Sequence, residues 1–242
     1  METINIATLP IDTGDTVLDL GCGEGRHTIA LNYHFPKANI YGFDLSISDI
    51  NTAKHRHSEF IAASNKNSAS NTPNTLYAQA DAFRLPFRDN SLNHIVCSEV
   101  LEHIEDYKSV LEEIKRVLKP HGSLSISVPR AWPEKICWAL SKKYHQVEGG
   151  HVRIFNTAAL QNEIIKQKFS FQKSHGAHAL HAPYWWLRCL FWREHEQQNI
   201  CVRAYHKILV WDLMKKPWVT RNLERCLNPI LGKSVVLYFE ND

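Results

Sequence analysis

Val17-Leu-Asp-Leu-Gly-Cys-Gly-Glu-Gly-Arg-His-Thr28 decides how the rest of the chain is read. Val17, Leu18 and Leu20 make the short apolar run expected of a strand covered on both faces. Gly21, Gly23 and Gly25 follow at a spacing of two. Without a Cβ, the backbone there can turn tightly and lie against a ligand. From Glu24 to Phe35 the pattern becomes helical, with Ile29, Leu31 and Phe35 as its apolar positions. A ligand on the turn would therefore meet the N–H groups of a helix start.

The dinucleotide fingerprint needs a third glycine or alanine three positions after the second. Arg26 fills that position, which argues against NAD or FAD. Outward from the turn the chain alternates. Residues 39–45 read as a second strand ending at Asp44, and a helix follows from about 48 to 61. The Ser/Asn-rich stretch 64–75 predicts a solvated loop. Strand three is 76–80, closing on Asp81, and strand four is 92–97. A helix over 106–118 carries Val110, Leu111, Ile114, Val117 and Leu118 at helical spacing. Residues 120–122 predict a turn and 123–128 strand five. Strands alternating with helices predict a parallel sheet with right-handed crossovers. Residues 1–15 suit a strand or a turn of helix. Beyond 130 the rhythm changes: 130–156 read as irregular, and Thr157 would cap a helix to Lys168. Residues 169–175 read as strand six, 183–231 as mostly helical, and 234–239 as a final strand.

The pattern D-x-G-x-G-x-G beginning at Asp19 closely resembles the first motif of the class I methyltransferases that use S-adenosylmethionine. Leu85-Pro-Phe-Arg-Asp-Asn-Ser-Leu-Asn-His-Ile-Val96 and Leu118-Lys-Pro-His-Gly122 resemble the same family. Asn93 stands where the family has aspartate, and His121 where it commonly has glycine. The resemblance covers about 14–130 and is nearest to the group that includes the ubiquinone- and menaquinone-biosynthesis methyltransferases. It implies an α/β fold, a Rossmann-like, mostly parallel seven-stranded sheet with helices on both faces and a final antiparallel strand. A helical insertion would precede that last strand. The whole would form a single domain over 1–242, with a cofactor-binding core at 1–130 and acceptor-side insertions at 131–156 and 183–231. The resemblance implies S-adenosylmethionine as cofactor, with Asp19, Gly21, Cys22, Gly23, Gly25, Asp44, Leu45, Asp81, Ala82 and Ser98 around it.

A carboxylate at the end of strand two can accept hydrogen bonds from both ribose hydroxyls. Read as plain structure, Asp44 is a helix N-cap or a loop acid. Asp81 can accept from the adenine amine beside the Ala82 N–H, and is otherwise an ordinary loop acid. Glu99-Val-Leu-Glu-His103 follows strand four, where the cofactor's methyl group would point. His103 is the first candidate for a general base, because imidazole titrates near neutral pH, and it serves equally as pocket wall. Tyr144, His145 and His151 are the further candidates. The same stretch resembles the divalent-metal site of the small-RNA 2'-O-methyltransferases and of some ubiquinone O-methyltransferases. Glu99, Glu102 and His103, with His151 as a fourth ligand, would suit Mg²⁺ or a related ion. A metal is the secondary expectation here, behind a metal-free site.

The net charge of +3 is too small for a nucleic-acid footprint. The six cysteines include no C-x-x-C pair, and reduced thiols in a cytoplasmic protein account for them. No N-terminal signal pattern is present, and no apolar run approaches the roughly 20 residues that span a bilayer. Five of the seven tryptophans, Trp185, Trp186, Trp192, Trp211 and Trp218, fall in the helical insertion among arginines and lysines. Such a segment packs on the sheet, walls an apolar acceptor site, or lies on a membrane surface. The expected function is methyl transfer to O, N or C of a small apolar or amphiphilic acceptor such as a lipid, quinone or secondary metabolite. The rivals are a metal-assisted RNA 2'-O-methyltransferase and a non-catalytic cofactor-binding subunit. No nucleic-acid partner is expected, and peripheral membrane contact would run through 183–231.

Overall fold

Successive residues of a strand face opposite layers, and the central strand obeys this. In β1 (Thr16–Leu20), Leu18 and Leu20 point into one core layer and Val17 into the other. Flanking it are β2 (Asn39–Asp44) and β4 (Leu92–Ser98), both parallel to it. The remaining strands are β3 (Thr75–Gln79), β5 (Leu118–Pro129), β6 (Phe169–Ala177) and β7 (Ser234–Asn241). The sheet order is β3-β2-β1-β4-β5-β7-β6. Among the described strands, β7 runs antiparallel to both β5 and β6. The computed structural model describes residues 2–64, 74–146, 150–191 and 199–242.

Connections leave β1 and β4 toward opposite edges, so a crevice opens between their carboxyl ends, where ligands of open α/β sheets bind. The first layer is covered by α3 (Tyr107–Val117) and α6 (Thr157–Lys166), through Val110, Leu111, Ile114, Leu160 and Ile164. The second is covered by α1 (Arg26–His34) and by the N-terminal segment, whose Ile4 and Ile6 are fully buried. Within the described residues, 2–15 thus form sheet cover with one short 3₁₀ turn at Ile6–Thr8. Helix α2 (Ile47–Ser64) closes a smaller cluster of Cys22, Ile50, Ala53 and Tyr77.

Several expectations need correction. The proposed turn at 120–122 lies inside β5, whose partner register jumps from Leu118 to Ser123 while β4 advances only from Leu92 to His94. The surplus residues bulge there, with His121 at φ +61°. The first part of 130–156 is helical rather than irregular: α4 (Ala131–Leu140) and α5 (Lys142–Gln146) occupy it, while 150–156 carry no helix or strand. Pro133 sits in the first turn of α4, where its missing N–H costs nothing. Asn156 rather than Thr157 caps α6, its side chain accepting from the N–H groups of Ala158 and Ala159. Between β6 and β7 lie α7 (His181–Leu190), α8 (Ile200–Lys215) and α9 (Trp218–Leu231). Most of the Ser/Asn-rich stretch, together with Trp192 and the side chain of His145, lies outside the described residues. Asn93, the departure from aspartate, accepts from Thr16 N and from Lys119 Nζ and so ties β4 to β1 without a charge.

Candidate active site

The glycine turn sits at the mouth of the crevice. Gly21 has φ +70°, and a Cβ there would lie 2.2 Å from Val100 Cγ2. The turn after β4 is therefore packed directly on the turn after β1. Gly23 has φ +50°, and a Cβ there would meet nothing within 4 Å, so its backbone borders open space. Helix α1 begins after Gly25 with no side-chain cap. Asp44 braces the turn: its Oδ2 accepts from Gly23 N at 2.8 Å and its Oδ1 from Ser46 N at 2.8 Å. Each oxygen keeps a further lone pair for a ligand. Asp81 is exposed at the end of β3, with Oδ1 accepting from Phe83 N at 3.0 Å. Leu45 is exposed, Ala82 half-buried and Cys22 buried. Ser98 ends β4 with its hydroxyl 2.8 Å from that of Ser127.

Asp19 lies beneath the turn, 1% exposed. Oδ2 accepts from Thr28 Oγ1 at 2.6 Å, whereas Oδ1 is buried with no hydrogen-bond partner. Burial pushes its pKa up to about 7 against the opposing Thr28 hydrogen bonds, and the nearby Asp44 adds to the rise. An acid with an orphaned oxygen, an open glycine and a second acid at a strand end fit S-adenosylmethionine, whose ammonium and ribose hydroxyls are donors. The Asp19 shift also predicts a stability effect. Below about pH 4 this carboxyl is protonated folded or unfolded; above that only the native state keeps the proton. Stability from this group is therefore complete at low pH and is lost as pH rises through about 7, with a ceiling of about 4 kcal/mol. Asp19→Asn should flatten the fall in melting temperature of the ligand-free protein between pH 5 and pH 8. An unchanged slope in that series would exclude the buried acid.

Beyond Val100 the site becomes polar. Glu99 holds φ +57°, a costly conformation for a non-glycine residue, at the end of β4. Its Oε1 accepts from Ser127 Oγ at 2.9 Å. Glu102 is fully buried, and neither carboxylate oxygen has a partner. Burial and the neighbouring Glu99 hold its pKa well above the ordinary range; burial likewise raises that of Glu99. His103 is exposed, with Nδ1 3.3 Å from the Gly150 carbonyl. The Glu102 carbonyl accepts from Val152 N at 2.9 Å, so the 150–152 segment is fastened to this turn. His151 thereby comes to 5.0 Å from the His103 ring, centroid to centroid.

His151 Nδ1 is 2.6 Å from Glu134 Oε1. Glu134 is 2% exposed and also accepts from Trp138 Nε1 at 3.2 Å and Tyr144 Oη at 3.4 Å. Burial works to raise the Glu134 pKa, but His151, Lys233 and Trp138 together outweigh it and the net shift is downward, so the group stays a carboxylate. Tyr144 is pushed far up, first by burial and then by Glu134, and holds its proton. Trp185 stacks edge-on to Tyr144, with Lys233 Nζ 5.0 Å from its ring. Glu134 and Lys233 were missed from sequence. The readable signal for Glu134 was one carboxylate within the apolar helix Ala-Trp-Pro-Glu-Lys-Ile-Cys-Trp-Ala-Leu. Of the four residues considered as metal ligands, Glu102, His103 and His151 place ligand atoms within 4.8 Å of one another.

Comparison with known proteins identifies the family. Over residues 11–184 the chain matches the model of a family described as methyltransferase domain. It is 30% identical over 129 residues to trans-aconitate 2-methyltransferase of Azoarcus sp., covering 53% of this chain and 45% of that protein. It is 30% identical over 118 residues to a demethylmenaquinone methyltransferase of Staphylococcus epidermidis, covering 48% and 44%. The matched region thus spans less than half the length of these relatives. Among solved structures, phosphoethanolamine N-methyltransferase 2 of Haemonchus contortus with S-adenosyl-L-methionine superposes with a TM-score of 0.60 at 18% identity, covering 96% of this chain and 50% of that one, a likeness of fold. With the glycine turn, its two flanking acids and a family match that takes in well over half of the residues, the chain belongs to the class I S-adenosylmethionine-dependent methyltransferases.

Proposed function

We propose that this protein transfers a methyl group from S-adenosylmethionine to a small amphiphilic acceptor, with His151 as the base. The observation that carries the base assignment is the 2.6 Å Glu134–His151 contact beside a turn packed on Gly21. When bound, the cofactor supplies a methyl group already activated on a sulfonium. The protein's task is then to orient the acceptor and remove its proton. Glu134 fixes the imidazole through Nδ1, which leaves Nε2 as the nitrogen that would take the acceptor's proton. Trp138, Tyr144 and Trp185 give the site aromatic walls around this polar end. The relatives' names, trans-aconitate in one and demethylmenaquinone in another, suit a shared cofactor half with differing acceptor sides.

A second reading rests on the Glu102–His103–His151 cluster. Both Glu102 oxygens are buried without partners, and a carboxylate behind His151 is the usual companion of a metal-bound imidazole. In that reading a divalent ion replaces the free base, and an RNA ribose hydroxyl is a further acceptor to test. Labelled S-adenosylmethionine incubated with wild-type protein and cell extract distinguishes the readings. Label in the organic-soluble fraction is expected; label in RNA favours the metal-assisted enzyme, and no label favours a non-catalytic subunit. Activity that survives chelation excludes the ion.

Membrane contact is proposed for α8 and α9, not for α7. Trp185 and Trp186 are half-buried, the latter donating to the Pro133 carbonyl at 3.1 Å. Trp211 is 49% exposed and Trp218 73%, with Ile208, Met214 and Ile230 also exposed. Arg203, Lys207, Lys215, Lys216, Arg221 and Arg225 are exposed, whereas Asp212 is buried and Glu224 half-buried. Apolar side chains with only cations around them suit an anionic bilayer surface. No helix among the described residues is long and apolar enough to cross a membrane. The protein should float with phosphatidylglycerol vesicles, and Trp211→Ala with Trp218→Ala should release it. Binding abolished by 1 M salt in the wild type would show charge attraction alone.

A further inference from the structure

A second cluster lies outside the methyltransferase site, where β6 ends and α7 begins. His178, His181 and Glu224 place ligand atoms within 4.8 Å of one another. The two histidines flank the start of α7, their rings 5.4 Å apart, and His178 holds φ +64°. Glu224 comes from α9, 43 residues along the chain from His181. One helical turn further on, Asn228 Oδ1 accepts from Ala179 N at 2.9 Å, so the same face of α9 is aimed at this corner.

Two polar atoms here are buried with no hydrogen-bond partner: His181 Nδ1 and Glu224 Oε1. Buried polar atoms are nearly always paired, and two orphans in one three-residue cluster need an account. His178 is oriented from behind, its Nε2 lying 3.1 Å from Thr3 Oγ1. A bond on one ring nitrogen that fixes the other is the usual arrangement for a metal-bound histidine. Asp212, whose Oδ1 accepts from Thr220 Oγ1, lies close enough to Glu224 to act on it electrostatically, so a second acid backs the cluster.

We propose that His178, His181 and Glu224 bind one divalent zinc-type ion that bolts α9 to the β6–α7 corner. Two imidazoles and a carboxylate are a borderline N/O donor set, and three protein ligands leave a position for water. Held there, the ion would join the base of the exposed α8–α9 pair to the sheet. The site does not depend on the catalytic reading.

The test uses the full chain carrying Glu102→Gln, which removes the other His/Glu cluster from the count. After chelator treatment and desalting, Zn²⁺ is titrated against a chromophoric chelator. One tight equivalent is expected, with a rise in melting temperature on its addition. Adding His181→Ala or the isosteric Glu224→Gln should weaken binding about 100-fold or more. It should also abolish the thermal shift, with S-adenosylmethionine binding retained as the check on folding. A visible Co²⁺ spectrum of the Glu102→Gln protein reports ligation without touching the proposed ligands, and should show N/O coordination. No tight equivalent in the Glu102→Gln protein, or equal binding after Glu224→Gln, overturns the proposal.

Discussion

Removing the Glu134-held imidazole with His151→Ala is expected to lower kcat by about 100-fold or more, with S-adenosylmethionine affinity little changed. The effect is large because proton removal from the acceptor would then fall to water. It should not spread to the cofactor, because His151 contacts the 102–103 turn and Glu134 rather than the glycine turn. Glu134→Gln keeps the shape of the carboxylate but not its charge, so it should lower kcat by a smaller factor at similar KM. His103→Ala separates the two histidines, since His103 is exposed whereas His151 is held by the buried Glu134 carboxylate. A metal-free base mechanism predicts a modest loss for His103→Ala and none on chelation. Comparable losses for His103→Ala, Glu102→Gln and chelated wild type would instead give the three residues to an ion. Full kcat in His151→Ala would remove it from both roles.

Asp44→Ala is expected to weaken S-adenosylmethionine binding by about 1–3 kcal/mol, the range for leaving a hydrogen-bonding partner unsatisfied. Two effects combine. The ribose would lose its acceptor, and the Gly23 and Ser46 N–H groups would lose theirs. Melting temperature measured beside calorimetry separates them. A binding loss that exceeds the change in ligand-free stability belongs to the ribose contact. Wild-type affinity in Asp44→Ala would contradict the assignment, and tight NADH binding would contradict the reading of the glycine turn.

The strand–turn–helix at 16–34, the alternation through β5 and the antiparallel close at β7 were legible because each is a local pattern. Apolar runs, glycine spacing and helical periodicity are written in neighbouring residues, and a buried parallel sheet leaves few alternatives for them. Asp19, Asp44 and Asp81 were legible for the same reason, each closing or lying within a strand pattern. Helices α4 and α5 were not, because a short segment around Trp132 and Tyr144 gains its helical form from packing against later helices.

By itself, then, the sequence determined the sheet, the glycine turn and the acids around it. Only the tertiary structure decided that His151 is backed by the Glu134 carboxylate. It also decided that Trp185 faces inward while Trp218 faces out, and that His181 meets Glu224. The reason is physical: those partners come from different elements, 17 residues apart for Glu134 and His151 and 43 for His181 and Glu224, and no periodicity reaches across such gaps. Burial against His151 made the difference between an ordinary helix acid and Glu134.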